Sequence, residues 1–396
     1  MHMHPSPPGI TFVNARLSNG EITAIRILGG RIAALGVPPP RGDSIVDLEG
    51  DRVLPGLINA HDHLQLNSMA HLDFEKSYRN AREWTSDVDT RRRSDPQFEE
   101  SVAVARDERL LIGGVKNLLS GVTTVAHHDP LYPFLTSAHY PVRVVCQYGW
   151  AHSLYVDGED KVGHSYRTTP GHWPWIIHAA EGLDDEAGKE FERLDALGCV
   201  QQNTLLVHGI ALNRAQRQRL ANAAAGLVWC PSSNQNLFGK TADVADLIAA
   251  GRVALGTDSR LSGARDLLEE LRLASQITGL DDAALESLVT RDGADLLRLS
   301  DRGALRPGLR ADLLVLPART RLAAAARADV RLVLVGGKAA YGDSDCAGRF
   351  APGTEWTHVL VDGRPKVLDG HIVKLLSNAR AAEPALEISN VTWRAA

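Results

Sequence analysis

The sequence predicts an α/β fold, a (β/α)8 barrel with a small β-sandwich built from both ends of the chain. Between about residues 53 and 300, apolar strand-like runs alternate with longer amphipathic segments, and such alternation is typical of a parallel sheet. A stretch of about 245 residues suits one barrel of eight strand–helix units. On both sides of this stretch the apolar runs are short, β-like and interrupted by glycine.

We therefore expect three regions. Residues 1–54 and 301–396 are predicted to form the two parts of the sandwich, and residues 55–300 to form the barrel. The outer runs include "EITAIRILGGRIAALG" near the start and "ADLLVLPA" and "VRLVLVGGKAAYG" near the end. One interval is harder to assign, because residues 149–172 have room for a barrel strand and a helix but the pattern places neither.

The composition narrows the range of partners. Hydrophobic residues make up 44% of the 396 residues and charged residues 23%, as in globular proteins. The net charge of -5 does not indicate the basic surface that nucleic-acid-binding proteins have. No apolar stretch is long enough to span a membrane, and the first residues do not form an apolar signal region. Four scattered cysteines without a CxxC pair favour reduced thiols and a cytoplasmic location. A small molecule is the expected partner, and a homo-oligomer is left open.

Ionisable side chains follow four of the predicted barrel strands. They are His61 and His63 in "LINAHDH", His178 and Glu181 in "PWIIHAAE", His208 in "NTLLVHG" and Asp258 in "VALGTDS". The carboxyl ends of barrel strands open on one face, so these groups are expected to lie together. His61 and His63 point the same way, roughly 6.5–7 Å apart along the strand, and histidine is the commonest metal ligand. Taken alone, the histidine pair could also be an incidental polar strand end.

At these residues the sequence resembles the amidohydrolase superfamily, in its branch of cytosine, guanine and S-adenosylhomocysteine deaminases and chlorohydrolases. The resemblance rests on segments that occur in the family's order across nearly the whole chain. The matching segments are "PGLINAHDHL" (55–64), "GVTTV" (121–125), "HAAE" (178–181), "VHG" (207–209), "CPSSN" (230–234), "GTDS" (256–259) and "GALRPGLRADLLVL" (303–316).

The resemblance implies one divalent metal ion per chain, zinc first and iron as the alternative. The implied ligands are His61, His63, His178 and Asp258. Three neutral imidazoles and one carboxylate also suit this chemistry on their own, because they leave the ion positively charged with room for a water. The lysine that bridges two metals in other members has no well-placed counterpart here, since Lys116 lies in a helical pattern and Lys161 in an acidic loop.

The resemblance also implies the catalytic roles. Glu181 would move protons to the ring nitrogen and the leaving amine, and Asp258 would accept one from the attacking water. His208 would donate a hydrogen bond to the water or to the negative charge that develops. General acid–base work of this kind contributes ~10²–10⁴-fold.

Substrate contacts are harder to select from the sequence. Gln65, Trp84, His128 and Asn234 are candidates for the pocket wall. For His128 the alternative is a structural role in capping the following loop. Trp84 is expected either in a loop that covers the site or as an ordinary buried tryptophan. Relatives often carry a histidine before the cysteine of "CPSSN", where this chain has Trp229, so an apolar wall is expected there.

The implied function is hydrolytic deamination of an aminated heterocycle by a metal-activated water. One alternative is hydrolysis of a ring amide or lactam C–N bond, as in imidazolonepropionase-like members. Another is a barrel without metal that serves as a scaffold. Zinc deaminases of the cytidine type are excluded because they need HxE with PCxxC, and no HExxH, GxSxG or Walker loop is present.

Overall fold

The computed structural model describes residues 8–72, 76–351, 353–376 and 388–389. The chain begins with five strands of one mixed sheet. They are β1 (Ile10–Arg16), β2 (Ile22–Leu28), β3 (Arg31–Leu35), β4 (Ser44–Asp47) and β5 (Arg52–Pro55). β1 pairs antiparallel with β2 and parallel with β4. Gly29 and Gly30 join β2 to β3 with φ of +58° and +75°, the left-handed backbone that a tight hairpin turn requires.

Eight parallel strands follow and carry the candidate site. They are β6 (Leu57–Asp62), β7 (Val122–His127), β8 (Arg143–Val144), β9 (Gly149–Ser153), β10 (Trp175–Ala179), β11 (Thr204–His208), β12 (Gly226–Trp229) and β13 (Val253–Leu255). They pair as two ladders, β6-β7-β8 and β9-β10-β11-β12-β13. The end of β6 also meets the segment after β13, because the backbone N–H of His63 donates to the carbonyl of Asp258 at 2.7 Å.

Helices lie between these strands and after the last of them. They are α1 (Ala81–Ser94), α2 (Pro96–Ala103), α3 (Arg106–Leu119), α4 (Leu154–Thr168), α5 (Asp185–Ala196), α6 (Arg214–Asn222), α7 (Pro231–Phe238), α8 (Ala245–Ala249), α9 (Leu267–Thr278), α10 (Asp282–Leu288) and α11 (Arg291–Leu296). Several begin at an acceptor side chain, as when Asp184 accepts from the N–H of Ala187 and Asn213 forms a capping box with Gln216.

The interval 149–172 contains both elements that the sequence left unassigned. β9 is followed directly by α4, which has a kink at Gly158, where φ is +77°. β9 pairs with β10 through an irregular register between Ile176 and His178. A short strand with a displaced register and a kinked helix lack regular periodicity, which explains why the pattern placed neither.

The chain returns to the mixed sheet at its carboxyl end. The remaining elements are β14 (Leu313–Leu316), β15 (Leu332–Val335), β16 (Lys338–Gly342), α12 (Ser344–Phe350), β17 (Trp356–Val361), β18 (Arg364–Asp369), α13 (Gly370–Leu376) and β19 (Ile388–Ser389). β14 pairs antiparallel with β5, placing Val315 opposite Val53. Both valines belong to one buried cluster that also holds Phe12 and Val367. The two ends of the chain therefore share a sheet and a core.

Among the described residues, the outer regions form one mixed sheet of eleven strands. The region boundaries at 54/55 and 300/301 remain a prediction. Residues 1–7, 377–387 and 390–396 of the predicted outer regions lie outside the described residues. In the part of the chain that the structure describes, no helix is both long and apolar enough to cross a bilayer.

Candidate metal centre

Three buried histidines meet at the carboxyl ends of β6 and β10. Nε2 of His178 lies 3.3 Å from Nε2 of His61 and 3.3 Å from Nε2 of His63. The ring of His61 stands nearly perpendicular to the other two, at 89° and 90°. Three ring nitrogens therefore converge on one point.

The hydrogen bonds behind two of these rings decide where their protons are. Nδ1 of His178 lies 2.9 Å from the carbonyl oxygen of His152, and Nδ1 of His63 lies 2.8 Å from Oδ2 of Asp129. A carbonyl or carboxylate oxygen only accepts, so each Nδ1 carries the hydrogen and donates it. In the neutral rings, Nε2 of His63 and of His178 is then a lone pair. Lone pairs that face one another at 3.3 Å favour a cation between them.

Asp258 adds an anionic oxygen to this point. Its Oδ1 lies 3.7 Å from Nε2 of His61 and 3.6 Å from Nε2 of His63. Its Oδ2 accepts hydrogen bonds from the hydroxyls of Ser233, at 2.6 Å, and Ser262, at 2.8 Å. Burial alone would raise the pKa of Asp258, but its interactions with His61 and the other site histidines hold it below its ordinary value.

The donor set fits a divalent ion such as zinc. Ligand nitrogens about 2.0–2.1 Å from zinc in a tetrahedron are separated by about the 3.3 Å that is found between the histidines. One ring nitrogen of His128 also comes within 4.8 Å of ligand atoms of His61, His63 and His178. Desolvation lowers the pKa of His61 to about 4, so this ring is a neutral donor.

Glu181 and His208 lie beside the histidine cluster. Nε2 of His208 is 3.6 Å from Oε1 of Glu181, and its Nδ1 donates to Oδ1 of Asn234 at 2.8 Å. Burial raises the pKa of Glu181, against the opposing effect of His208. A buried carboxyl with a raised pKa next to an oriented imidazole is suited to exchanging protons.

Three positions of the site have left-handed backbone without being glycine. The φ angles are +53° at Ala180, +74° at His208 and +58° at Asp258. Such conformations are strained for residues with a Cβ and cluster at functional sites. At Ala180 the turn is held by Glu190, whose Oε2 accepts from the Ala180 N–H at 2.8 Å. This turn sets the direction of the following residue, Glu181.

A network of buried polar side chains holds Asp62, the residue between His61 and His63. Asp62 points away from the two histidines, and its carboxylate accepts from Asn67 at 2.7 Å and Asn117 at 2.8 Å. Lys116 donates to Oδ1 of Asn67 at 2.7 Å and lies 3.8 Å from Asp62. Lys116 therefore belongs to this network and does not reach the convergence point of the histidines.

A cavity of about 380 Å³ opens over the cluster. Its walls contain two of the four predicted substrate contacts, Gln65 and Trp84, and also His152 and Tyr155. Trp84 lies on α1, where the sequence suggested a loop. Nε2 of Gln65 donates to Asp129 at 2.6 Å.

The other two predicted contacts, His128 and Asn234, lie behind the site residues. Both are buried and neither lines the cavity. Nε2 of His128 donates to the carbonyl of Ala151 at 2.9 Å, and the His128 ring packs 4.3 Å from that of His178. Asn234 lies behind His208, whose orientation it fixes. Both residues contact site residues, and their role as substrate contacts remains a prediction.

Sequence reasoning missed the positioning roles of Asp129 and Glu190. Asp129 follows His127 and His128 at the end of β7, so the sequence could place it on the same face as the candidate ligands. Its partner His63 is 66 positions earlier, and no local pattern reports such a pairing. Glu190 is an ordinary charged residue of an amphipathic helix in the sequence.

Several known proteins are similar to this chain. A model described as the amidohydrolase family matches residues 174–340. The chain resembles this family over that segment, which is less than half of its length. Over 191 residues it is 35% identical to a 5-methylthioadenosine/S-adenosylhomocysteine deaminase of Pelotomaculum thermopropionicum, covering 41% of this chain and 44% of that one. Over 225 residues it is 31% identical to an 8-oxoguanine deaminase of Pseudomonas aeruginosa, covering 53% and 48%.

The matched segments thus span less than half the length of each of these two relatives. A solved structure of an adenosine deaminase from Xanthomonas campestris with bound zinc is similar with a TM-score of 0.71 and 18% identity. The match covers 97% of this chain and 100% of that one. At this identity the likeness concerns the fold.

Proposed function

We propose that this chain is a metal-dependent amidohydrolase that deaminates an aminated heterocycle. The observation that carries the proposal is the convergence of three imidazole nitrogens and the Asp258 carboxylate at the floor of one cavity. Both sequence relatives are named as deaminases of purine compounds. A purine, or a ring of similar shape, is therefore the substrate class that we favour.

We infer one zinc ion per chain, held by His61, His63, His178 and Asp258, with iron as the alternative. The mixed nitrogen and oxygen donors accept either metal, and the bound zinc of the similar adenosine deaminase favours zinc. When bound, such an ion lowers the pKa of a water to near neutrality and so supplies the nucleophile.

Glu181 is proposed to carry the protons. Its carboxyl lines the cavity, and because burial raises its pKa, it holds a proton more readily than an exposed glutamate. In this state it can donate to a ring nitrogen as water attacks the adjacent carbon. It can then take the second proton of the attacking water and pass it to the leaving amine, and the proton that Asp258 accepted from the same water then restores the acid form of Glu181.

His208 is proposed to stabilise negative charge on the reacting atoms. Its Nδ1 hydrogen is already directed at Asn234, so Nε2 can donate only when the ring is a cation. Oε1 of Glu181 lies 3.6 Å from that Nε2. Asp258 is proposed to accept the proton of the attacking water, while its Oδ1 faces the histidine nitrogens and its Oδ2 is held by two serine hydroxyls.

We also infer that the two parallel ladders are parts of one (β/α)8-type barrel beside a small sheet domain. The bridge between Asp62 and Asp258 supports closure at one seam. The placement of all proposed ligands at carboxyl ends of strands supports it as well, since barrel enzymes have their sites there.

The decisive experiment is a screen of zinc-loaded protein against aminated purines, pterins, triazines and pyrimidines for ammonia release. Release from one class, abolished in Glu181→Gln, is the expected result. Ring opening without ammonia would favour lactam hydrolysis instead. A metal-loaded protein without turnover on any aminated ring would contradict the proposed activity.

A further inference from the structure

A second cavity, of about 680 Å³, lies away from the metal centre. It shares no lining residue with the cavity over the histidines. Trp173 and Arg143, which line it, stand at the amino ends of β10 and β8, whereas the candidate ligands stand at carboxyl ends. The β15–β16 turn of the mixed sheet forms another wall, with Gly336 and Lys338. The cavity is therefore on the opposite side of the parallel strands.

The lining of this cavity is strongly cationic. Its charged lining residues are Arg143, Arg298, Arg302, Arg310, Lys338 and one carboxylate, Asp301. A second carboxylate, Asp312, pairs with Arg143 at 3.0 Å. Five cations against two carboxylates leave an excess of positive charge, although the whole chain has a net charge of -5. Such a concave region attracts anions.

Hydrogen bonds within the lining leave many donors unused. Arg302 donates from Nε to Asp301 at 2.8 Å and from Nη1 to the hydroxyl of Thr124 at 2.9 Å. Arg310 donates from Nε to the same carboxylate. Among the described residues, Nη2 of Arg302, both Nη atoms of Arg310 and the ammonium of Lys338 have no hydrogen-bond partner. Burial would raise the pKa of Asp301, but Arg302 and Arg310 lower it to about 2, so it stays ionised and is shared by two guanidiniums.

Two more donors without partners belong to the same lining. Oγ of Ser137 and Nε1 of Trp173 are buried and have no hydrogen-bond partner in the described part of the chain. Buried polar atoms are nearly always paired, so such exceptions point to a missing partner. Arg143 is also held close to the turn, since a Cβ at Gly336 would lie 2.4 Å from its Nη2.

We propose that this cavity binds a small phosphate monoester. The forked guanidinium matches two oxygens of a phosphate group and bonds it strongly because both partners are charged. The volume is much larger than one phosphate ion needs. The apolar walls, which include Leu135, Leu299 and Trp173, leave room for the organic part of the ester.

The test is calorimetric titration of the metal-loaded protein with phenyl phosphate and with inorganic phosphate, at constant ionic strength set by KCl. Lys338 is the residue to change, because it is exposed and unpartnered in the described structure. Lys338→Gln is expected to weaken binding of phenyl phosphate about tenfold, and Lys338→Glu to weaken it further. Lys161→Gln, at an exposed lysine of α4, is the matched control and should bind as the unchanged protein does.

Each other outcome counts against the proposal. Equal affinity of the Lys338 variants and the unchanged protein would place the bound anion elsewhere, including at the metal centre. Equal affinity for phenyl phosphate and inorganic phosphate would overturn the assignment of an ester. Thermal unfolding of each variant without ligand, expected within a few degrees of the unchanged protein, shows that a lost affinity is not a lost fold.

Discussion

Oδ2 of Asp129 lies 2.8 Å from Nδ1 of His63, and the opposite nitrogen of that ring faces His178 at 3.3 Å. Burial would raise the pKa of Asp129, but its hydrogen bond with His63 lowers it, so the carboxylate is charged. A carboxylate behind a ligating histidine fixes the ring's tautomer and makes the other nitrogen a stronger donor. Gln65 holds the same oxygen from the cavity side. Asp129 is therefore a positioning residue for the proposed metal.

Asp129→Asn should weaken metal binding, because the amide cannot supply the negative charge behind His63. A loss of about 10–100-fold in zinc affinity is expected, measured by competition with a chromogenic chelator. Asp89→Asn, at an exposed aspartate of α1, is the control and should bind zinc normally. Unchanged affinity in Asp129→Asn would show that the pairing does not act on the metal.

The sequence could place His61, His63, His178, His208 and Asp258 on one face because each follows an apolar run directly. That inference needs only the rule that parallel strands end on a common side. It could not separate residues that face the cavity from residues one layer behind. His128 and Asn234 have the same polar character as Gln65, but backbone direction after β7 and β12 turns them inward.

Fold prediction had a similar limit. The mixed sheet from both chain ends followed from short β-like runs at each end, and the pairing of β5 with β14 agrees with it. Residues 149–172 could not be assigned because β9 has only five residues and α4 is interrupted at Gly158. Irregular elements held by tertiary contacts leave a weak periodic signal.

Metal content tests the proposed ligands directly. Purified protein should contain close to one zinc or iron per chain by elemental analysis, and the double variant His61→Ala/His63→Ala should contain none. Replacing two of the three converging nitrogens leaves too few donors for a tetrahedral site. His139→Ala is a control in which the metal should remain. Two metals per chain would contradict the mononuclear assignment.

The stability of the fold should depend on the protonation of Glu270. Its Oε1 accepts from the N–H of Ser232 at 2.8 Å, while Oε2 is buried without a partner among the described residues. Burial raises its pKa to about 8, whereas the unfolded chain loses this proton near pH ~4.3. The folded state then holds the extra proton, so the free energy of unfolding falls as pH rises from about 4 to 8.

Glu270→Gln stays neutral at every pH and should remove this part of the decline. We expect urea unfolding to show the variant as more stable than the unchanged protein at pH 9, and similar to it at pH 4. Asp107→Asn, at an exposed position of α3, should leave the pH profile unchanged. Parallel profiles for Glu270→Gln and the unchanged protein would mean that Glu270 is charged in the folded state.

The shared core of the two chain ends can be tested with Val53 and Val315. They are opposite each other in β5 and β14 and are fully buried. Changing each to alanine, singly and together, should give a coupling of about 0.5–3 kcal/mol in the free energy of unfolding, as contacting residues do. The pair Val53 and Val359, which belong to different buried clusters, should be additive. Additivity of the first pair would show that the ends do not share a core.

The last prediction separates two carboxylates of the same site by what each touches. Asp258 has Oδ1 within 3.7 Å of Nε2 of both His61 and His63, whereas Glu181 has its contact with His208 at 3.6 Å. Glu181→Gln keeps shape and polarity but cannot move protons. It should retain its metal, lose ~10²-fold or more in kcat and change KM little. Asp258→Asn should lose activity together with metal, because a neutral amide replaces the anionic ligand. If Glu181→Gln were the variant that loses its metal, the roles of the two carboxylates would have to be exchanged. Near-normal turnover in Glu181→Gln would refute the proposal that Glu181 transfers protons.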